Sequence, residues 1–273
     1  MAKENPLASN LTLEQQKNLF GNAYLNMLWH CPTDQRFPYW VHLPDCYYDE
    51  KDPHYKLLVI IHGTGCAVED YVRHAKVLAD RDHVAVLAPL FPGGLIQRDD
   101  FNSYKLLSCD GVRYDQILLD MIDDMAKRYP GVETDKFFLF GHSGGGQFVN
   151  RFLFAHPEKL RACAIGAPGR PTFLNPDEDY FWGTRDFKNY FGHDVDLAAV
   201  QKVPVLVIVG ENDTKFIGDS PYGDNRVARM KSLQKNLQDH GVHTELTILP
   251  GFAHEGGEKE RVQAAQHFFE AYL

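Results

Sequence analysis

Apolar and polar positions along the chain fall into two alternating rhythms. Short continuous apolar runs recur: "KLLVIIHG", "HVAVLAPL", "KFFLFG", "RACAIGAPG", "VPVLVIVG" and "TELTILPG". Between them lie segments with apolar residues at three-to-four spacing: "VEDYVRHAKVLADR", "YDQILLDMIDDMAKRYP", "GGGQFVNRFLFAHPEKL" and, at the end, "EKERVQAAQHFFEAYL". Short unbroken apolar runs suit strands buried on both faces, and the three-to-four spacing suits helices with one buried stripe. "FPYWVHLP" reads as an earlier strand, and residues 1–35 as an amphipathic helical lead-in, with no convincing strand before "FPYWVHLP". "EKDPH" reads as a turn. Strands alternating with helices predict a mostly parallel sheet with helices on both faces, one α/β domain over residues 1–273.

The six regular strands end at Gly63, Pro89, Gly141, Gly166, Gly210 and Pro250. In an open α/β sheet the ligand crevice lies at the carboxyl ends of the strands, so chemistry is expected at these ends. One segment breaks the rhythm. Residues 168–200 are too long for an ordinary loop and rich in aromatics, among them Phe173, Tyr180, Phe181, Trp182, Phe187, Tyr190 and Phe191. Long connections of this kind are often binding elements. It is read as a small cap over the crevice; the plainer alternative is a surface excursion whose aromatics pack on the domain.

At the third of these strand ends stands "GHSGG". Gly141-His142-Ser143-Gly144-Gly145 matches G-x-S-x-G between a strand-like and a helix-like run, the setting of a nucleophile elbow. Glycine-rich turns also bind phosphate, but no Walker lysine follows, and the dinucleotide pattern G-x-G-x-x-G is absent here. A serine needs a base, and the base needs an orienting acid. Most of the 13 histidines have no supporting context; His254, in "LPGFAHEGG" after the last strand, does. For the acid, "VGEND" offers Asp213, with Glu211 as the alternative and Asp194 and Asp196 as weaker candidates. A solvated turn would also explain "END". Two amides suit an oxyanion hole: Gly144 at the start of the helix, and Thr64 in "HGTGC". In that loop His62 reads as a residue that fixes the loop, and Cys66 as a structural thiol rather than a nucleophile.

"HGTG", "GHSGG", "VGEND" and "GFAH" in this order resemble the α/β-hydrolase fold, from about Phe37 to Leu273. The resemblance implies an eight-stranded, mostly parallel sheet and a Ser143–Asp213–His254 hydrolase working through an acyl-enzyme. Ser143 sets the chain apart from relatives with aspartate at the elbow, the dehalogenases and epoxide hydrolases. It also sets it apart from dienelactone hydrolases, which use cysteine. The expected reaction is hydrolysis of a small to medium carboxylic ester or lactone, partly apolar or aromatic. Thioester or C–C bond cleavage on the same residues is the alternative, and a receptor-like binding protein of the same fold is the non-enzymatic one. His142, Phe181, Trp182 and Tyr190 are read as substrate-pocket residues. Arg170 and Arg185 are more simply solvated than poised for a substrate carboxylate.

Composition changes little in this picture. The chain has 273 residues, 44% hydrophobic, and a net charge of -9, enough for a large core and unfavourable for nucleic acid or an anionic membrane. No basic stretch is interleaved with aromatics. "MAKENPLASNLTLEQQKNLF" does not read as a signal peptide, and no apolar run nears the roughly 18 residues of a membrane span. A cytoplasmic location is expected. The five cysteines lie outside any CxxC, so free thiols are expected and no metal site; a Cys31–Cys46 bridge is the one open pairing. No metal and no organic cofactor is implied, because the reaction needs only the three side chains and water. Oligomeric state is left open, a homodimer included.

Overall fold

The computed structural model describes residues 12–49 and 53–273. The first eleven positions of the expected lead-in helix, and positions 50–52 of the expected turn, lie outside the described residues.

Among the described residues, ten strands and eight α-helices follow in chain order. The strands are β1 (Leu28–His30), β2 (Pro38–His42), β3 (Tyr55–Ile61), β4 (Val84–Pro89), β5 (Ser108–Cys109), β6 (Val112–Arg113), β7 (Val132–His142), β8 (Leu160–Gly166), β9 (Val205–Gly210) and β10 (Thr244–Leu249). The helices are α1 (Leu13–Phe20), α2 (Val68–Asp82), α3 (Tyr114–Arg128), α4 (Gly144–Ala155), α5 (Phe187–Phe191), α6 (Leu197–Val200), α7 (Arg226–Asp239) and α8 (Glu258–Phe269). Eight strands form one sheet in the order β1-β2-β4-β3-β7-β8-β9-β10, while β5 and β6 make a separate short ribbon. β2 pairs antiparallel with β1 on one side and β4 on the other; β3, β4, β7, β8, β9 and β10 are parallel to one another.

The period-two geometry of the strands explains the unbroken apolar runs. Alternate residues of β3 part to opposite faces. Leu57, Val59 and Ile61 join one core with Leu139, Ile165, Val205 and Val207. Leu58 and Ile60 join another with Phe138, Phe140, Ala164, Leu206 and Ile208. The first core is covered by α3, α4 and α7, through Leu118, Met121, Phe148, Phe152, Met230 and Leu233. The second is covered by α2 and α8, through Tyr71, Ala75, Val262, Ala265 and Phe269. A strand covered on both faces has no solvent side, so its sequence carries no polar alternation.

The N-terminal edge corrects the sequence reading. The chain leaves α1, passes through a 3₁₀ turn at Gly21–Leu25, and then pairs Leu28–His30 antiparallel with β2. Three residues, "LWH", are too few to show a period, and their pairing partner lies eight or more residues downstream.

The 168–200 segment carries α5 and α6 and otherwise turns and bends. Phe173, Tyr180, Phe187 and Phe191 are buried in the same core as the first face of the sheet. Two arginines hold this segment from beneath. Fully buried Arg151, from α4, donates to Thr172 Oγ1, Arg170 O and Lys105 O, and lies over the rings of Tyr180 and Phe181. Arg229, from α7, donates to the carbonyls of Gly169, Gly218 and Gly223 and lies over Trp182. Each guanidinium spreads its donors over carbonyls that no helix or strand satisfies.

Cys31 and Cys46 do not pair. All five cysteines are free; Cys31 is buried beside Thr33, and Cys46 faces the Tyr55 hydroxyl. Among the described residues, no helix is long and apolar enough to cross a membrane, and no cluster of side chains could hold a metal.

Candidate active site

The turn from β7 into α4 sets the site. Ser143 has φ 57° and ψ -111°, a backbone conformation that non-glycine residues rarely adopt. The turn survives because α4 starts directly against the sheet: a Cβ on Gly145 would collide with the carbonyl oxygen of Ile61 and with that of His62. Only glycine permits that approach. The strained residue holds its hydroxyl at the carboxyl edge of the sheet.

Ser143 Oγ lies 2.9 Å from His254 Nε2. His254 Nδ1 lies 2.7 Å from Asp213 Oδ2. Because the carboxylate only accepts, Nδ1 carries the proton, and Nε2 is free to accept from the serine hydroxyl. Asp213 is 1% exposed and receives a second, longer contact from Arg226 Nη1 at 3.4 Å. The structure thus brings together Ser143, His254 and Asp213, from the ends of β7, β10 and β9. Glu211 lies apart from them; its carboxylate accepts from the Gly251 amide and fixes the loop after β10. Asp196 caps α6 through the Ala199 amide, and Asp194 is exposed beside Lys188.

The His254 loop is held from below. Arg261, buried in α8, donates to the carbonyls of Ala253 and His254, at 2.7 and 3.0 Å. His142 donates from Nε2 to the same His254 carbonyl at 3.2 Å. His142 is 5% exposed, and its ring packs 4.9 Å from that of His254. Burial first, then the nearby Arg261 and His254, hold its pKa well below the usual histidine value. Its one hydrogen bond goes to the backbone.

The loop after β3 passes directly over the serine. A Cβ on Gly63 would lie 3.9 Å from Ser143 Cβ, and one on Gly144 would lie 3.2 Å from the Thr64 amide nitrogen. The Thr64 and Gly144 amides are therefore neighbours beside Ser143. His62 anchors this loop. Its Nε2 accepts from the Phe91 amide at 3.0 Å, so Nδ1 bears the proton and donates to Gly63 O at 2.6 Å. Burial pushes its pKa down to about 4, so it stays neutral at pH 7. Cys66, at φ 56°, directs its thiol to the carbonyls of Thr64 and Phe91, and burial raises its pKa, the reverse of an activated thiol.

The neutral state of His62 has a consequence for stability. Unfolded, it takes up a proton near pH 6.5; folded, only near pH 4. Between these values the unfolded chain binds more protons, so stability falls as pH drops from about 6.5 toward 4, by up to about 3 kcal/mol. Denaturant titrations from pH 7 to 4 should show this slope, and His62→Gln should reduce it, leaving the share that comes from buried His142.

A cleft of about 200 Å³ opens over Ser143, lined by Gly63, Thr64, Gly65, Ala67, Asp70, Tyr71, His142, Ser143, His254, Glu255 and Glu258. Phe181, Trp182 and Tyr190 are not among these residues. Phe181 lies under Arg151, Trp182 stacks at 5.9 Å on Tyr222, and Tyr190 packs at 4.8 Å on Tyr180. Arg185 pairs with exposed Asp179, and Arg170 gives its carbonyl to Arg151. Sequence reasoning missed Arg226, Arg261 and Lys105. A lone basic residue on a helix or turn looks the same in sequence whether it is solvated or buried.

Comparison with known proteins gives the same architecture. No curated protein matches the sequence. Among solved structures, the LpqC poly(3-hydroxybutyrate) depolymerase from Bordetella parapertussis superposes with a TM-score of 0.71 at 19% identity, over 97% of this chain and 96% of that one. Poly(aspartic acid) hydrolase-1 from Sphingomonas sp. KT-1 gives 0.68 at 19% identity, over 89% and 96%. An S-formylglutathione hydrolase from Agrobacterium tumefaciens gives 0.60 at 15%, over 90% and 93%. At these identities the likeness is one of fold, the α/β-hydrolase fold. The family is set by sequence: the dienelactone hydrolase model matches residues 44–271, which hold the six parallel strands of the sheet and Ser143, Asp213 and His254. The serine at the elbow separates Ser143 from the cysteine of dienelactone hydrolases themselves, but not the chain from their family; this protein belongs to the dienelactone hydrolase family.

Proposed function

We propose that the protein is a serine-dependent carboxylic-ester hydrolase acting through an acyl-enzyme on Ser143. The observation that carries this reading is the continuous hydrogen-bonded line from Asp213 through His254 to Ser143, with both bonds under 3 Å. Membership of a hydrolase family supports it.

Ser143 Oγ attacks the acyl carbonyl as His254 Nε2 takes its proton. The carbonyl oxygen becomes an oxyanion, held by the Thr64 and Gly144 amides. The tetrahedral intermediate collapses, the imidazolium gives its proton to the leaving alkoxide, and the alcohol departs. Water then attacks the acyl-enzyme, giving its proton to Nε2, and the acid leaves as Ser143 recovers the proton. Asp213 keeps the imidazole in the Nδ1–H tautomer and stabilises the imidazolium. A 200 Å³ cleft suits a small to medium acyl ester or lactone.

A panel of p-nitrophenyl esters and lactones of graded acyl length tests the reading, beside thioesters and β-diketones. Turnover of the short esters or lactones, giving a carboxylic acid and an alcohol, is the expected result. Turnover of thioesters or diketones alone would replace the proposal with a different hydrolase, and none at all would leave a binding protein.

A further inference from the structure

One buried cation beside the site has no role in the steps above. Lys105 sits in a 3₁₀ turn at Ser103–Leu106 and is 6% exposed. Its ammonium donates to the neutral Asn102 Oδ1 at 2.6 Å and makes no ion pair among the described residues. Asp100 is near, but its carboxylate accepts from the Asn102 and Ser103 amides and from the Ser103 hydroxyl. The Lys105 carbonyl takes a 2.5 Å bond from Arg151, itself fully buried and hydrogen-bonded only to carbonyls, a hydroxyl and an amide oxygen. Two adjacent buried cations without a bound carboxylate are costly to the fold.

The position of Lys105 suggests what its side chain faces. A Cβ on Gly144 would meet Lys105 Cε at 2.7 Å, the Thr64 amide nitrogen at 3.2 Å, and the Tyr104 hydroxyl. Lys105 therefore packs against the same α-carbon whose amide is read as an oxyanion donor. Tyr104 fixes this turn by donating to the His62 carbonyl at 3.1 Å. The N-terminal end of α4, positive by its backbone dipole, points to the same place.

We propose that the Lys105 ammonium supplements the Thr64 and Gly144 amides, lowering the energy of the oxyanion formed on the acyl carbonyl. This rests on Ser143 being the nucleophile. The groups facing Lys105 are Asp100, Asn102, Cys66, Tyr104, His62 and Arg151. Burial, then Arg151, bring its pKa down to about 8, so the charge is present below that pH and lost above it. Loss of the lysine charge then lowers activity on the alkaline side.

The test is steady-state kinetics from pH 6 to 10 on an uncharged p-nitrophenyl ester, for the native protein, Lys105→Met and Lys105→Arg. Lys105→Met should lower kcat about 10- to 100-fold with KM within about twofold, less than the loss of a full oxyanion donor. The native fall in kcat above pH 8 should be absent in Lys105→Met. Lys105→Arg should recover most of the neutral-pH kcat and show no such fall, because guanidinium stays charged. A kcat within twofold of native for Lys105→Met, or the same alkaline fall in Lys105→Arg, overturns the proposal. So does a loss confined to KM. Fluorophosphonate labelling of the native protein at Ser143, run in parallel, separates this failure from failure of the nucleophile assignment.

Discussion

Alanine in place of Ser143 or of His254 lowers kcat by about a millionfold, in a protein that still folds. The size follows from serine hydrolases in which either residue alone removes nearly all covalent catalysis. The reason lies in the bond between them. Without His254 Nε2 nothing 2.9 Å from Oγ takes its proton, and without Oγ there is no nucleophile. Both side chains are half-buried at the cleft, and each carries few other bonds, so the two-layered core beneath stays intact. Because the elements act as a unit, the double variant should be no slower than either single one. Burst kinetics on the best p-nitrophenyl ester, with thermal melts as the control for folding, measure the effect. A loss smaller than a hundredfold for Ser143→Ala would mean that another group attacks the ester.

The second large effect comes from Asp213→Asn, expected to lower kcat by about four powers of ten. The substitution keeps the shape of a side chain that is 1% exposed. It changes the proton. An amide NH₂ turned to His254 Nδ1 donates rather than accepts, so the imidazole carries its proton on Nε2, facing Ser143. A protonated Nε2 cannot receive the serine proton. KM should hardly move, since Asp213 lies beneath the cleft rather than in its wall. The amide oxygen is left facing Arg226 Nη1 and can still accept from it, so that 3.4 Å contact loses only its charge, and little stability should go with it. Glu211→Gln, by contrast, should leave kcat near native, because that carboxylate is bound to the Gly251 amide. The reverse pattern would move the orienting acid to Glu211.

The parts of the molecule that were legible in its sequence are those specified locally. A buried strand is a short apolar run, and six of them stand out because both sheet faces are covered. "GHSGG", "END" and "FAH" could be placed because each follows such a run directly, at the sheet edge where crevices form. What stayed hidden depends on partners far along the chain. The edge strand "LWH" is defined only by its pairing with β2. The aromatics of residues 168–200 look like a pocket wall in one dimension; in three, the rings of Tyr180 and Phe181 pack against Arg151 of α4 and that of Trp182 against Arg229 of α7. Arg151, Arg229 and Arg261 occupy helices where an arginine ordinarily faces solvent, yet all three are buried and serve unpaired carbonyls. His156 likewise looked unsupported, and it is bonded to buried Asp115 at 2.8 Å, which Arg113 also engages. Burial of a charge is decided by distant neighbours, so no local pattern announces it.

The central claim is that Ser143 is an activated nucleophile. Intact-protein mass spectrometry after incubation with a small fluorophosphonate, beside Ser143→Ala, tests it most directly. The expected result is one phosphonyl adduct on the native chain and none on the variant. A folded native protein that stays unmodified, or a Ser143→Ala variant that takes up the same adduct, would contradict it.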